Sequence, residues 1–312
     1  MSRCRSLSAA IAAVLLVTLA GCGLGAGAER SGAGADLRVT RDFGHRLLLA
    51  ESGLRIREDE TVMRLLKRNA EVETRFGGGF VQSIEGLAGR GAAGTSDWFY
   101  YVNGIEAGEG AADYEVSPGD VIQWDRRDWG ETADVRAIVG AFPQPLLDGL
   151  EGKRFPVRVE CQDADSTSCR DVKRTLRDAD IPASGSSLGA PGNQNVIRVV
   201  VADWASARAL PTVRLVELGP QRSGVFARFR DGGDALELLG ADGDPVREEG
   251  AGAGLVAALR PTDKELVWLV TGVDEAGLAA AAAALRPRDL RDAFAIAIVA
   301  GRVEKLPLRP GS

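Results

Sequence analysis

The sequence predicts an α+β protein with two folded units, residues 36–130 and residues 153–310. In the first unit, alternating apolar and polar residues and a β-prone aromatic run predict strands around one amphipathic helix. In the second unit, apolar strands alternate with helical stretches, which indicates an α/β layered domain. A mature chain of about 290 residues is also long enough for two domains.

The start of the chain carries an export signal. An uncharged apolar segment, residues 7–20, is shorter than the roughly 20 residues that a membrane-spanning helix needs. Leu19-Ala20-Gly21-Cys22 follows it and resembles the lipobox of bacterial lipoproteins. The resemblance implies that residues 1–21 are a signal peptide and that Cys22 is lipidated as the mature N-terminus. An ordinary cleaved signal peptide or an uncleaved anchor is the alternative.

Residues 22–35 are small, polar and glycine-rich, so they predict a flexible tether between the lipid and the first unit. The sequence after Cys22 has no segment apolar and long enough to cross a bilayer. We therefore expect a body on the outer side of the cell membrane, held there by membrane lipid through Cys22.

The sequence of the first unit predicts the following elements, in chain order. Strands are predicted for Leu37–Phe43 and His45–Arg57, and a helix for about residues 60–70, with Asp59 as its N-cap. The remaining predictions are a tight turn at Gly77–Gly79, a strand at Trp98–Val102, a hairpin turn at Asn103-Gly104 and a strand at Val121–Trp124.

A series of motifs in this unit resembles the transcobalamin C-terminal-like domain. The series comprises Gly79-Phe80-Val81, Trp98 with Tyr100-Tyr101-Val102-Asn103-Gly104, Gly110 with Tyr114, and Gly119-Asp120 with Trp124. The resemblance covers roughly residues 37–130 and implies a β-grasp fold related to modules that bind soluble ligands. The helical lobe that completes the cobalamin site of animal carriers has no counterpart in this sequence.

The second unit follows a predicted linker, residues 131–152, in which Phe142-Pro143-Gln144-Pro145 interrupts regular structure. Its predicted elements are a strand at Val157–Cys161, a helix at Ser166–Asp178, a polar loop at residues 183–194, a buried strand at Val196–Ala202 and a helix at Glu275–Leu285. The role of this unit is not apparent from its sequence.

Four cysteines divide into two groups. Cys4 belongs to the signal peptide and Cys22 takes the lipid, which leaves Cys161 and Cys169. Two cysteines in an oxidising compartment usually pair, so we expect a disulfide that contributes about 2–3 kcal/mol. Their spacing is too wide for a redox CxxC pair.

Charge and histidine content exclude several function classes. The net charge is −6 with both signs interspersed, which argues against nucleic acid or an anionic membrane as the main partner. His45 is the only histidine, which argues against most hydrolases, metalloenzymes and proton shuttles. We therefore expect no enzyme activity, no metal and no cofactor.

The best candidates for ligand binding are aromatic: Trp98, Tyr100, Tyr101, Trp124 and Trp129. Residues 98, 100 and 102 of a strand point to one face, whereas 99 and 101 point to the other. One face can fill the core, and the other can pack on a second domain, a protein partner or a flat ligand. A purely structural role in the core and between domains is the main alternative.

Four further features of the sequence give weaker evidence of a functional site. Asp125-Arg126-Arg127-Asp128 could hydrogen-bond the polar edges of a ligand, or form a solvated loop. Gly185-Ser186-Ser187-Leu188-Gly189 has the letters of a nucleophile elbow without its strand, helix or later histidine. Gly250–Gly254 is interpreted as a turn, and His45 is interpreted as a surface or turn residue.

Together these features predict a membrane-anchored, non-enzymatic protein outside the cytoplasm. The leading hypothesis is capture of a soluble ligand, a corrinoid or another planar metabolite, for delivery to a membrane transporter. The alternative hypothesis is a structural or assembly module of the cell envelope that uses both units for protein contacts.

The anchor can be tested on the native protein. Mass spectrometry is expected to find a mature N-terminus at Cys22 that carries a diacylglyceryl group, and fractionation should place the protein in the membrane. An unprocessed or unacylated N-terminus, or recovery from the cytosol, would contradict this prediction.

Overall fold

The computed structural model describes residues 34–89, 94–130, 132, 134–192, 194–230, 232–309 and 311. The predicted signal peptide, Cys22 and all but the last two residues of the predicted tether lie outside the described residues. In the described part of the chain, no helix is both long and apolar enough to span a bilayer.

The first unit is a β-grasp-like sheet with one helix. Its elements are β1 (Ala35–Arg41), β2 (Arg46–Leu54), α1 (Val62–Asn69), β3 (Val72–Arg75), a 3-10 turn (Phe76–Gly78), β4 (Phe80–Ile84), β5 (Leu87–Ala88), β6 (Ser96–Val102), β7 (Ile105–Glu106) and β8 (Val121–Asp128). The main sheet has the order β2-β1-β8-β6-β7, and β1 runs parallel to β8. β3, β4 and β5 form a separate small sheet.

Helix α1 covers one face of the main sheet. Its buried side chains, Val62, Met63, Leu65 and Leu66, pack with Leu37, Val39 and Ile122 of the sheet. The N-cap is Thr61, whose hydroxyl accepts a hydrogen bond from the amide of Arg64 at 3.3 Å. The prediction of Asp59 as the cap is therefore wrong: Asp59 has a φ of +55°, whereas an N-cap needs an extended backbone.

The second unit contains one large sheet and one small sheet. Its strands are β9 (Val157–Cys161), β10 (Ala183–Ser187), β11 (Ile197–Val201), β12 (Ala227–Phe229), β13 (Leu236–Leu239), β14 (Pro245–Glu249), β15 (Gly254–Thr262), β16 (Glu265–Gly272), β17 (Ala295–Val299) and β18 (Arg302–Leu306). Its helices are α2 (Thr167–Asp178), α3 (Trp204–Ala207), a 3-10 helix (Val213–Leu218), α4 (Pro220–Ser223), α5 (Glu275–Ala283) and α6 (Pro287–Leu290).

The large sheet has the order β10-β9-β11-β16-β15-β17-β18. The half from β10 to β16 is parallel, and the half from β16 to β18 is antiparallel. Helices α2 and α5 cover one face, where Val172, Leu176 and Leu278 pack on Val199 and Trp268. The small sheet, β12-β13-β14, and helix α3 cover the other face. The α+β class with a layered second domain is confirmed.

Helix α2 begins one residue after the predicted start, because Ser166 is its N-cap, and it carries the predicted disulfide. Cys169, in the first turn of α2, is bonded to Cys161 at the end of β9. Both cysteines are buried in the core between α2 and the sheet. The bond therefore fixes the start of the helix to the end of the strand that precedes it.

The buried strand β11 contains a charged residue that needs a partner. Arg198 is almost completely buried, and its guanidinium donates to both oxygens of Glu160 on β9, at 2.8 and 2.9 Å. Burial disfavours the charged carboxyl, but hydrogen bonds from Arg198 and Arg158 hold the Glu160 pKa below its usual value. This ion pair is what lets a charged residue lie among apolar neighbours.

Residues 183–194 are not a loop throughout, because Ala183–Ser187 form the edge strand β10. These residues have low β propensity, and they are extended because they pair in parallel with β9. Tertiary pairing therefore overrides the local preference of a Ser- and Gly-rich stretch.

The segment predicted as a linker, residues 131–152, is packed where the structure describes it. Val135 and Ile138 lie in the core between the two units, and Val139, Phe142 and Leu146 lie in the core beneath α2 and α5. Pro143 and Pro145 interrupt regular structure as predicted, but the apolar residues around them hold the segment against both cores. We call residues 134–150 the connector.

The two units share one hydrophobic core, which we call the shared core. Phe43, in the turn between β1 and β2, makes edge-to-face contacts with Phe226 and Phe294, with ring centroids 5.0 and 5.2 Å apart. Tyr101 of β6 also contacts Phe294, at 5.6 Å. Arg38 and Asp292 form an ion pair across the same interface. The face of the grasp sheet that α1 leaves open is thus covered by the second unit.

The tightness of this interface can be tested at Gly44. A Cβ at this position would overlap the backbone of Asp292, and its φ of +74° is also unfavourable for alanine. Gly44→Ala should lower the free energy of unfolding by about 3–5 kcal/mol in urea denaturation. The matched control is Gly53→Ala on β2, where φ is +64° but the space is open, so only about 1–2 kcal/mol should be lost. Equal losses would contradict the close contact.

Candidate functional site

Three of the predicted aromatic residues lie inside the first unit. Trp98, Tyr100 and Trp124 point toward α1, as the alternation along β6 predicts. Tyr100 stacks on Trp124 with ring centroids 5.0 Å apart, and its hydroxyl donates to the carbonyl of Glu109 at 2.6 Å. Trp98 and Trp124 are buried. Trp98 and Trp124 are therefore core residues of the grasp domain, and the half-buried Tyr100 packs against them.

The other two predicted aromatics have different environments. Tyr101 is fully buried in the shared core, so the second face of β6 packs on the neighbouring domain. Trp129, just after β8, is 36% exposed. The structure thus does not gather the five rings into one surface, and ligand contact by them stays a prediction.

Asp125 organises the turn that carries Phe43. Its carboxylate accepts hydrogen bonds from the Thr40 hydroxyl at 2.6 Å, the Phe43 amide at 3.0 Å and the Gly44 amide at 2.8 Å. The residue is completely buried, and burial raises its pKa to about 6 against the opposing effect of these hydrogen bonds. Asp125 is therefore a structural residue of the interface rather than part of a solvated loop.

The neighbouring charges along β8 alternate between buried and accessible positions. Arg127 is buried, with its guanidinium 3.8 Å from the centre of the Phe99 ring and a hydrogen bond of 3.0 Å to the carbonyl of Thr132. Arg126 donates to the carbonyl of Ala88 at 2.7 Å and remains partly accessible. Asp128 is exposed. Arg126 and Asp128 are thus the two members of the predicted set that reach an open surface.

That surface is a cleft of about 510 Å³ between the two units, which we call the His45 cleft. The first unit lines it with the turn after β1 and the end of β8, and the second unit with the segment after β18. The lining residues are Asp42, Phe43, His45, Arg46, Ser96, Arg126, Asp128, Ala241, Pro307, Leu308, Arg309 and Gly311. Small-molecule sites occur preferentially in such clefts between domains.

The polar groups of the His45 cleft favour an anion. Three arginines, Arg46, Arg126 and Arg309, line the cleft together with Asp42 and Asp128, which gives the lining an excess of one positive charge. Arg46 lies 3.8 Å from Asp42, and Arg126 donates to the carbonyl of Ala88. Guanidinium groups bind carboxylates and phosphates through paired hydrogen bonds. The cleft can therefore hold a small anionic group against a partly apolar wall.

His45 lies at the junction of the two units. Its Nε2 atom donates to the carbonyl of Pro307 at 2.7 Å, which leaves Nδ1 as a hydrogen-bond acceptor. Burial lowers the pKa of this histidine, which favours its neutral form. The sequence interpretation of His45 as a turn residue did not foresee its contact across the interface, because Pro307 is distant in the sequence.

A second cleft, of about 590 Å³, lies at another edge of the interface and contains Glu106. Arg136 and Arg260 line it, and both approach the carboxylate of Asp263, at 2.6 and 3.5 Å. Burial raises the pKa of the Glu106 carboxyl to about 7, against the effect of the Arg127 guanidinium 3.7 Å away. We call this the Glu106 cleft.

The remaining motifs stand apart from both clefts. Ser186 and Ser187 lie on the edge strand β10, and Gly250–Gly254 lead into β15, where Asp274 accepts a hydrogen bond from the Gly252 amide. No group of three or more His, Cys, Asp or Glu residues with metal-binding geometry occurs among the described residues.

A family model supports the resemblance of the first unit at a coarse level. Residues 59–127, from just before α1 to the end of β8, match a domain of unknown function, DUF4430, which is a transcobalamin-like family. The match lies within the range in which the motifs were recognised, and it covers only part of the chain. No curated protein matches the chain.

One solved structure similar to part of the chain is the crystal structure of a protein from Ruminococcus gnavus, described as a candidate metal-binding protein. The two are 14% identical, and the match covers 30% of this chain and 95% of that one, with a TM-score of 0.24.

The Glu106 carboxyl makes stability depend on pH. Because burial raises its folded pKa from 4.5 to about 7, its contribution to stability is present below about pH 4.5 and is lost as pH rises through 7. Glu106→Gln removes this ionisation, so the variant should gain about 2–3 kcal/mol relative to wild type between pH 5 and pH 8. Urea unfolding at both pH values measures it. Glu51→Gln, at an exposed site on β2, is the control, and parallel curves for wild type and Glu106→Gln would disprove the effect.

Proposed function

We propose that this chain is an exported, lipid-anchored protein that binds a small soluble ligand with an anionic group in the His45 cleft, without transforming it. The observation that carries the proposal is the cleft itself, since both units line it and three of its lining residues are arginines. The lipobox-like sequence at Cys22 supports the anchor, and the β-grasp-like first unit supports a role in ligand binding.

The charges that line the His45 cleft favour an anionic ligand over a flat macrocycle. Trp98, Tyr101 and Trp124, on which a planar ligand could stack, are buried in the two cores. Trp129 is the one tryptophan at an exposed site, and it follows Asp128 of the cleft directly. Corrinoids are the ligand class that the transcobalamin-like resemblance implies, and they are therefore included among the ligands to be tested. Transfer of the ligand to a membrane transporter completes the proposed role.

The proposal is tested by titration of the protein with citrate, inorganic phosphate, cobinamide and cobalamin. A ligand of the cleft should raise the melting temperature and change the emission of Trp129, because the other four tryptophans are buried. Arg46→Ala and Arg309→Ala should each weaken binding about 10-fold, since each removes a charge-assisted hydrogen bond. Arg214→Ala, an exposed site away from the cleft, is the charge-matched control.

Three outcomes separate the alternatives. Loss of binding in both cleft variants, with Arg214→Ala unchanged, supports an anion site in the His45 cleft. A response to cobinamide or cobalamin that neither arginine variant weakens would move the site elsewhere. The absence of any response, together with co-purification of a membrane protein, would reject ligand capture in favour of an assembly module of the envelope.

A further inference from the structure

The hairpin of β3 and β4 ends in two exposed phenylalanines. Phe76 is 88% exposed and Phe80 is 39% exposed, and their rings meet edge to face with centroids 6.3 Å apart. Phe76 is the most exposed large hydrophobic residue in the described part of the chain. Residues Gly77–Gly79 between them carry no side chains, so the two rings form the tip of the hairpin. We call residues 76–80 the Phe76 tip.

The core of the first unit does not explain this tip. Val81 and Ile84 of the same hairpin are buried in that core, whereas the two rings point away from it. Phe76 also has a φ of +53°, a left-handed conformation that is unusual for a bulky residue. A strained backbone that holds an aromatic ring in solvent indicates a role outside the fold of the chain itself.

The charges around the hairpin are arranged by position. Arg75 pairs with Phe80 next to the tip, and the Lys67 ammonium lies 3.7 Å from the position that a Gly78 Cβ would take. Of the acidic residues, Glu73 lies midway along the hairpin, where its carboxylate accepts a hydrogen bond from the Ser83 hydroxyl at 2.9 Å, and Glu71 and Glu85 lie at the opposite end. Aromatic rings with flanking cations suit the interface between lipid headgroups and acyl chains. This local arrangement differs from the net charge of the chain, which is −6.

We propose that the Phe76 tip inserts into the surface of the membrane that carries the protein. The inference rests on the lipid anchor of the proposed function. Eleven residues separate Cys22 from Gly34, with an extended length of at most about 40 Å, so the anchored body stays close to the bilayer. The lipid on Cys22 attaches the chain at one point, and the Phe76 tip supplies a second point that fixes its orientation.

The test uses the native lipidated protein with Gly77→Cys, an exposed position with open space between the two rings, reconstituted into vesicles of phosphatidylcholine and phosphatidylglycerol. With Cys22 acylated and Cys161 bonded to Cys169, an environment-sensitive dye reacts with the new thiol alone. Insertion should shift the dye emission to the blue, and lipids spin-labelled near the headgroup should quench it by about twofold. Leu218→Cys, at a position 58% exposed in the second unit, is the matched control and should show neither change.

The readouts distinguish failure of the tip from failure of the anchor. Mass spectrometry that finds one dye per chain, together with flotation of the protein with vesicles, establishes the anchor independently of the tip. An aqueous dye spectrum at position 77 in protein that floats would overturn the insertion and point to a protein partner for the tip. Equal quenching at positions 77 and 218 would also overturn it, because the body would then have no fixed orientation.

Discussion

The arrangement of the two units depends on the buried carboxylate of Asp125. Three consecutive residues after β1, Asp42, Phe43 and Gly44, have φ values of +57°, +59° and +74°, and two of them carry side chains that disfavour this conformation. Asp125 offsets the strain because it accepts hydrogen bonds from the Phe43 and Gly44 amides. The turn then directs Phe43 into the shared core and leaves His45 against the backbone of Pro307.

The shared core also determines which surfaces of the two units stay accessible. The open face of a β-grasp sheet is a natural place for recognition, but in this chain Tyr101, Phe99 and Arg127 of that face are covered by the second unit and the connector. Accessible polar groups are left at the rim of the interface, where the His45 cleft and the Glu106 cleft lie. The second unit thus covers a broad aromatic face and leaves two narrower polar clefts at its rim.

Local sequence patterns predicted the fold better than they predicted the His45 cleft. The alternation of β6 correctly assigned Trp98 and Tyr100 to one face and Tyr101 to the other, and Ser166 and the two cysteines gave the start of α2 and its disulfide. The His45 cleft was not predicted because it depends on contacts between distant residues, such as His45 with Pro307. Strand β10 was not predicted for the same reason, since its Ser- and Gly-rich sequence becomes extended only by pairing with β9.

Because the connector is packed against both units, the residues that match the DUF4430 family do not mark an independent domain. The DUF4430 match ends at residue 127, yet Ile105 pairs with Ala137 of the connector, and Tyr101 packs on Phe294. A gene fragment cut there would expose an aromatic face that the full chain conceals, and such a fragment would aggregate. The connector and both units are therefore needed together to keep this face covered.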